Sequence, residues 1–262
     1  MPAITPSNGC AFWCIVRDSP PAKNAFVSAS RLCNLNFMKL FWRVFLLLGL
    51  QVLLPATVTA AETNHNFARW EKDIAAFERK DETNRPPPHA SLFIGSSTIA
   101  RWQTLAQDFA GRPVINRGFG GSEIVDATHF APRVVFPCAP RQVFLRAGGN
   151  DLWAGKSVAQ VFADFQDFAR TIHARLPDTE IIYISLSPSV ARWSQHAKEK
   201  ELNSRVADFI AGKPWLKYLE TYDIPLGADG QPRPELFVAD KLHLNAAGYR
   251  LLAEKVRPLL AQ

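Results

Sequence analysis

Four short segments carry the groups that hydrolytic chemistry needs: Gly95-Ser96-Ser97-Thr98, Gly118-Phe119-Gly120-Gly121-Ser122, Gly148-Gly149-Asn150-Asp151 and Asp240-Lys241-Leu242-His243. Together they supply a hydroxyl, backbone N–H groups at glycines, a side-chain amide, and a carboxylate three residues from an imidazole. This set suits acyl transfer. A serine hydroxyl is a poor nucleophile at neutral pH and needs an imidazole to take its proton. The imidazole needs a carboxylate to hold its tautomer, and the tetrahedral oxyanion needs converging donors. Ser96 and Ser97 compete for the role of nucleophile.

A second D-x-x-H, Asp126-Ala127-Thr128-His129, competes with Asp240 and His243. It falls inside a predicted helix, where an i,i+3 pair reads as a surface ion pair. Asp240 and His243 instead precede Asn245, a suitable N-cap, and so belong to a loop free to lean over a sheet edge. His65, His89, His173 and His196 lie near no motif and read as solvated. Gly118-x-Gly120-Gly121 lacks the third glycine of a dinucleotide loop. No His/Cys/Asp cluster has metal-ligand spacing, so neither a metal nor a cofactor is expected.

The elements that must position these groups follow from periodicity. Phe67, Trp70, Ile74 and Phe77, at helical spacing, predict an amphipathic leader helix before Pro86-Pro87-Pro88. Leu92 to Ile94, Val114-Ile115, Val143 to Leu145 and Ile181 to Ile184 are short apolar runs closed by glycine or proline, and each reads as a buried strand. A weaker fifth lies at Trp215 to Leu219. Between them run helical stripes: Val158, Val161, Phe162, Phe165, Phe168 and Ile172 behind a Ser157/Gln160 capping box, then Leu202, Val206, Phe209 and Ile210. A last helix starts near Asn245 and carries Leu251, Leu252, Val256 and Leu259. Near-continuous apolar strands alternating with helices predict an α/β domain with a five-stranded, doubly wound parallel sheet covered on both faces. Such sheets bind ligands beyond the carboxyl ends of their strands, which is where the first three segments fall.

In block order, from about Ser91 to Leu260, the four segments resemble the conserved blocks of the SGNH hydrolases, also called GDSL esterases or lipases. The resemblance implies a flavodoxin-like three-layer α/β/α sandwich. It also implies a serine nucleophile at Ser97, oxyanion donors at Ser97, Gly121 and Asn150, and a catalytic Asp240/His243 pair. Two positions depart from the pattern: Ser96 replaces the aspartate of G-D-S, and Ser122 stands where many members have aspartate. Trp153 and Trp193 become candidates for substrate contact. The implied activity is hydrolysis of carboxylic esters, short acyl groups such as acetyl on a carbohydrate included, on a small-molecule or glycan substrate. An acyltransferase to a glycan hydroxyl and a non-catalytic carbohydrate-binding module are the alternatives. Arg146, inside an apolar strand, calls for a buried partner such as a carboxylate.

Composition sharpens this reading. The 262 residues are 47% hydrophobic and 21% charged, an ordinary globular balance, with a formal net charge of +6. Four of those six charges sit in the first 60 residues, where Arg17, Lys23, Arg31, Lys39 and Arg43 face only Asp18, so basicity gives no reason to expect nucleic acid. From Met38 the chain reads as a signal peptide: Lys39 and Arg43, an apolar stretch from Val44 to Leu54, and a small-residue end at Val58 to Ala61. The expected division is therefore 1–37 as an upstream extension outside the natural product, 38–61 as signal, 62–90 as leader helix and linker, and 91–262 as the hydrolase domain. The product is expected to be exported, periplasmic or secreted, with no stable membrane insertion after cleavage; the alternative is an uncleaved anchor over the 18 uncharged residues Val44 to Ala61. Cys138 alone follows the signal, so no internal disulfide is expected there, and it reads as a half-buried small hydrophobe.

Overall fold

The computed structural model describes residues 65–261. The expected extension and signal lie outside the described residues, as does the start of the leader. A single 3-10 turn, Phe67–Trp70, leads into α1 (Glu71–Thr83), which turns Trp70 and Ile74 inward. Then follow β1 (Ser91–Gly95), α2 (Ser97–Ala100), α3 (Leu105–Asp108), β2 (Val114–Gly118), α4 (Ile124–Val134), β3 (Gln142–Arg146), α5 (Gly149–Trp153), α6 (Val158–Arg175), β4 (Glu180–Ile184), α7 (His196–Ile210), β5 (Leu216–Leu219) and α8 (Ala246–Val256). All four strand pairings are parallel, in the order β2-β1-β3-β4-β5. The five strands match the sequence expectation, including the weak fifth. Among the described residues no helix is long and apolar enough to cross a membrane.

Alternation along the strands makes two cores. Leu92, Ile94, Val143, Leu145, Ile181 and Tyr183 face Trp70 of the 3-10 turn and Ile74, Phe130, Phe165, Phe168 and Leu202 from α1, α4, α6 and α7. Phe93, Phe144, Ile182 and Ile184 face Trp102, Phe109, Tyr249, Leu252 and Val256 on the other side. Both faces of each central strand are thus apolar, which is why the strands read as continuous runs rather than alternating ones. The predicted capping box forms: Gln160 N–H donates to Ser157 Oγ, and Ser157 N–H donates to Gln160 Oε1.

Cys138 is buried rather than half-buried, against Arg117 and the Val134 carbonyl. The guanidinium of Arg117 pairs with Asp81 of the leader helix at 2.5 Å, fastening α1 to the end of β2.

The strand order reverses at β1, since β2 lies on one side of it and β3 on the other. The crevice at that switch point is bordered by the segments after β1, β2 and β3.

Candidate active site

Ser97 is the first residue of α2, separated from the end of β1 only by Ser96. The turn is tight because Gly95, at φ +141°, lies so close to β3 that a Cβ would sit 2.1 Å from the Arg146 carbonyl oxygen. Ser96 N–H donates to that same carbonyl at 3.1 Å. Asn116 ties the turn to β2, donating to the Ile99 carbonyl at 2.7 Å and accepting from Gly118 N–H at 2.8 Å. Tyr249 in α8 donates its hydroxyl to the Thr98 carbonyl at 2.9 Å. These contacts brace a turn that lacks the aspartate of the family pattern.

The loop before α8 delivers the acid and the imidazole. Asn245 caps α8 as expected, accepting from Ala247 and Gly248 N–H, and a bridge between Phe237 and Leu244 closes the loop's base. Asp240 Oδ1 accepts the N–H groups of Leu242 and His243, both at 2.9 Å, while Oδ2 lies 2.7 Å from His243 Nδ1. The backbone N–H of His243, its ring and the N–H of Leu242 together hold the Asp240 carboxyl well below the usual range. An ionised Asp240 places the imidazole proton on Nδ1 and leaves Nε2 as an acceptor. His243 Nε2 is 2.8 Å from Ser97 Oγ, so Ser97, rather than Ser96, is the hydroxyl in contact with the imidazole.

Asn150, in the first turn of α5, faces the same point. Its amide orientation is fixed from two sides: Oδ1 accepts from Arg192 at 2.9 Å, and Nδ2 donates one proton to the Ser122 carbonyl at 2.9 Å. One amide N–H remains for a ligand. Gly121 adopts φ +79°, and a Cβ there would lie 3.0 Å from Arg69 Nη2. Glycine is therefore the residue that lets this loop present its backbone beside the leader. Ser97 N–H, at a helix start, has no intrahelical partner. Ser97, Gly121 and Asn150 border one recess of about 360 Å³ with Arg69, Arg101 and His243. A second, tighter recess of about 70 Å³ shares Ser97, Asn150 and His243 with the first and is bordered also by Arg146, Gln195 and Glu199.

The rival D-x-x-H does different work from the ion pair expected of it. Asp126 is fully buried and bonds His65 Nε2 at 2.7 Å, while its other oxygen accepts Glu123 N–H to cap α4. Burial pushes its carboxyl up, against those two bonds. His129 stacks on Phe67 at 3.8 Å, away from Asp126's carboxylate. Three of the histidines expected to be solvated are engaged: His65 with Asp126, His173 stacked on Trp215, and His196 on Trp193. Arg146 has no carboxylate within ion-pair distance among the described residues. Its guanidinium donates instead to the Ser185 carbonyl and, at 2.8 Å, to Ser187 Oγ.

Neither candidate tryptophan lines the two recesses. Trp153 is 56% exposed beneath the Arg192 guanidinium, and Trp193 borders a separate groove with His196 and Tyr222. Sequence reasoning missed Arg192 and the contact that the leader makes with the site. Trp70 Nε1 donates to the Gly120 carbonyl at 3.0 Å, so the leader buttresses the loop that carries Gly121. The helical spacing marked Trp70 as a core residue but held no signal for a polar contact.

The model of the GDSL-like lipase/acylhydrolase family matches residues 91–251. No curated protein matches the chain. Among solved structures, the fold is similar to that of a protein from Streptococcus pneumonia proposed to be a platelet activating factor (21% identity, TM-score 0.67, 74% of this chain and 94% of that one). It is also similar to a GDSL-like lipase from Bacteroides thetaiotaomicron VPI-5482 (19%, 0.59, 74% and 96%). An acetylxylan esterase from Geobacillus stearothermophilus, solved as a catalytic mutant, matches at 15% identity and a TM-score of 0.53 over 66% and 95%.

Proposed function

The chain belongs to the GDSL-like lipase/acylhydrolase family and is a carboxylic ester hydrolase, and from that premise we propose that it is an exported serine esterase for short acyl groups, acting through an acyl-enzyme on Ser97. The observation that carries the reading is the unbroken chain of hydrogen bonds from Asp240 through His243 to Ser97. Ser97 Oγ attacks the ester carbonyl as His243 Nε2 takes its proton. The oxyanion is held by Ser97 N–H, Gly121 N–H and the free N–H of Asn150. Collapse breaks the bond to the alcohol, which leaves with the proton from His243. Water, deprotonated by the same nitrogen, then releases the acid and restores Ser97. Asp240 keeps the imidazole in its productive tautomer and stabilises the imidazolium.

The acetyl preference, on a sugar or a small ester, rests on the size of the tight recess, far below the several hundred Å³ of a site for a large ligand. An acetylxylan esterase among the fold's neighbours is consistent with this. Acetyl esters are expected to exceed octanoyl esters of the same alcohol in kcat/KM by about 100-fold. A preference for the octanoyl ester would overturn the short-acyl reading. The same assay with an acceptor sugar present separates hydrolysis from transfer, and free acetate as the main product is the expected result.

Export rests on the three-part segment from Met38 to Ala61. N-terminal sequencing of the protein recovered from outside the cytoplasm of a bacterial host is expected to start at Ala61 or Glu62. Recovery of an uncut chain beginning at Met1 would sink this part of the reading.

A further inference from the structure

The wider recess beside Ser97 is bordered by three arginines, Arg69, Arg101 and Arg192, and by no carboxylate side chain. Each guanidinium adjoins a residue of the proposed machinery. Arg192 Nη1 donates to Asn150 Oδ1 at 2.9 Å, and Arg101 Nη1 lies 3.6 Å from Asp240 Oδ2. Arg69 lies beside Gly121, where a Cβ would come within 3.0 Å of Nη2.

Two of these cations are positioned without being neutralised. The Arg69 guanidinium lies over the Trp70 ring, 4.8 Å from its centroid, and that of Arg192 over the Trp153 ring at 5.0 Å. Among the described residues neither forms an ion pair with a carboxylate. An aromatic face fixes a guanidinium while leaving the N–H groups at its edge open to a ligand. Arg101 is paired only loosely, because Asp240 already accepts the N–H groups of Leu242 and His243 and faces the His243 ring. Arg192 is half-buried, and a charge withdrawn from water without a counter-charge costs free energy. The missing counter-charge is then a property of the ligand. Arginine forks match the oxygens of a carboxylate or a phosphate, whereas an ammonium would be repelled.

We propose that the wider recess is a subsite for an anionic group on the alcohol part of the substrate, so that the preferred substrates are acetyl esters of alcohols bearing a carboxylate or a phosphate. The inference deepens the proposed esterase function and rests on it: with the acetyl group in the tight recess, the wider one takes the alcohol. The bonds broken are those already described, and the anionic alcohol leaves with the proton from His243. Arginines that served only the oxyanion would speed every ester alike, whatever its alcohol.

The test compares acetate release from the acetyl esters of four alcohols of similar length: 4-hydroxybutyrate, its amide, 3-hydroxypropyl phosphate and 3-hydroxypropyltrimethylammonium. For at least one of the two anions kcat/KM is expected to exceed that of the amide by about tenfold or more, with the trimethylammonium ester below the amide. The order of the two anions tells which group the subsite takes. Arg69→Gln and Arg101→Gln are each expected to lower the ratio of anion to amide several-fold, a measure that cancels any loss common to both esters. The wild-type series stands even if neither variant folds. Equal values for the amide and both anions, a preference for the trimethylammonium ester, or an anion preference that survives both substitutions together would overturn the proposal. Those results with an inactive Ser97→Ala would remove only the anionic subsite. Full activity in Ser97→Ala, or no acetate from any of the four esters, would remove the esterase reading beneath it and the subsite with it.

Discussion

Replacing Ser97 by alanine is expected to lower kcat/KM for an acetyl ester by at least about 10⁴-fold, with the protein still folded. The loss is that large because every step of the covalent route passes through its oxygen, and what remains is the oxyanion site acting on bound substrate and water. Ser96→Ala is the matched comparison. Ser96 borders the same tight recess, but its backbone carbonyl accepts from Ile99 and Ala100 N–H as the start of α2, and the oxygen 2.8 Å from His243 belongs to its neighbour. Its removal is expected to change the rate only a few-fold. Labelling with a fluorophosphonate, followed by peptide mass mapping, gives an independent readout: the adduct is expected on Ser97. An adduct on Ser96, or an inactive Ser96→Ala with an active Ser97→Ala, would exchange the two roles.

His243→Ala is expected to cost about as much as Ser97→Ala, and the double variant little more than either, because the two groups act as one unit. Asp240→Asn tests the third member more gently. It preserves the shape of the loop but presents an amide that favours the wrong imidazole tautomer, and a loss near 10⁴-fold in kcat is expected. The rival pair supplies the control. His129 is exposed and stacks on Phe67 of the leader, so His129→Ala is expected to keep nearly full turnover. An inactive His129→Ala beside an active, folded His243→Ala would refute the assignment of the base.

Much of the fold and of the candidate site is legible in the sequence, for identifiable reasons. The strands are buried on both faces, and two-sided burial writes itself as runs such as Ile181 to Ile184 that need no tertiary context to detect. The candidate groups Ser97, Gly121 and Asn150 follow those runs at their carboxyl ends, where a parallel sheet exposes them. What sequence could not supply was pairing across distance. Arg146 looked as though it needed a carboxylate, because a buried cation usually does. The available partners were the Ser185 carbonyl and the Ser187 hydroxyl at the end of β4, a juxtaposition created by strand register. Asp126 and His129 looked like neighbours because helical spacing permits contact. Yet Asp126 turns inward to His65, more than sixty positions earlier, and no local pattern encodes that choice. Arg192 could not be recognised as the brace for Asn150 for the same reason.

The contact between Ser97 and His243 joins residues 146 positions apart, and Tyr249 reaches back 151 positions to the same turn. Chain order then becomes a matter of timing. On the proposed mechanism a ribosome finishes the nucleophile, Ser97, well before its base, His243, so a growing chain carries an inert serine until the segment before α8 can dock. The same holds for a fragment clipped anywhere between the two residues. On that mechanism, hydrolysis starts only once the whole domain has closed.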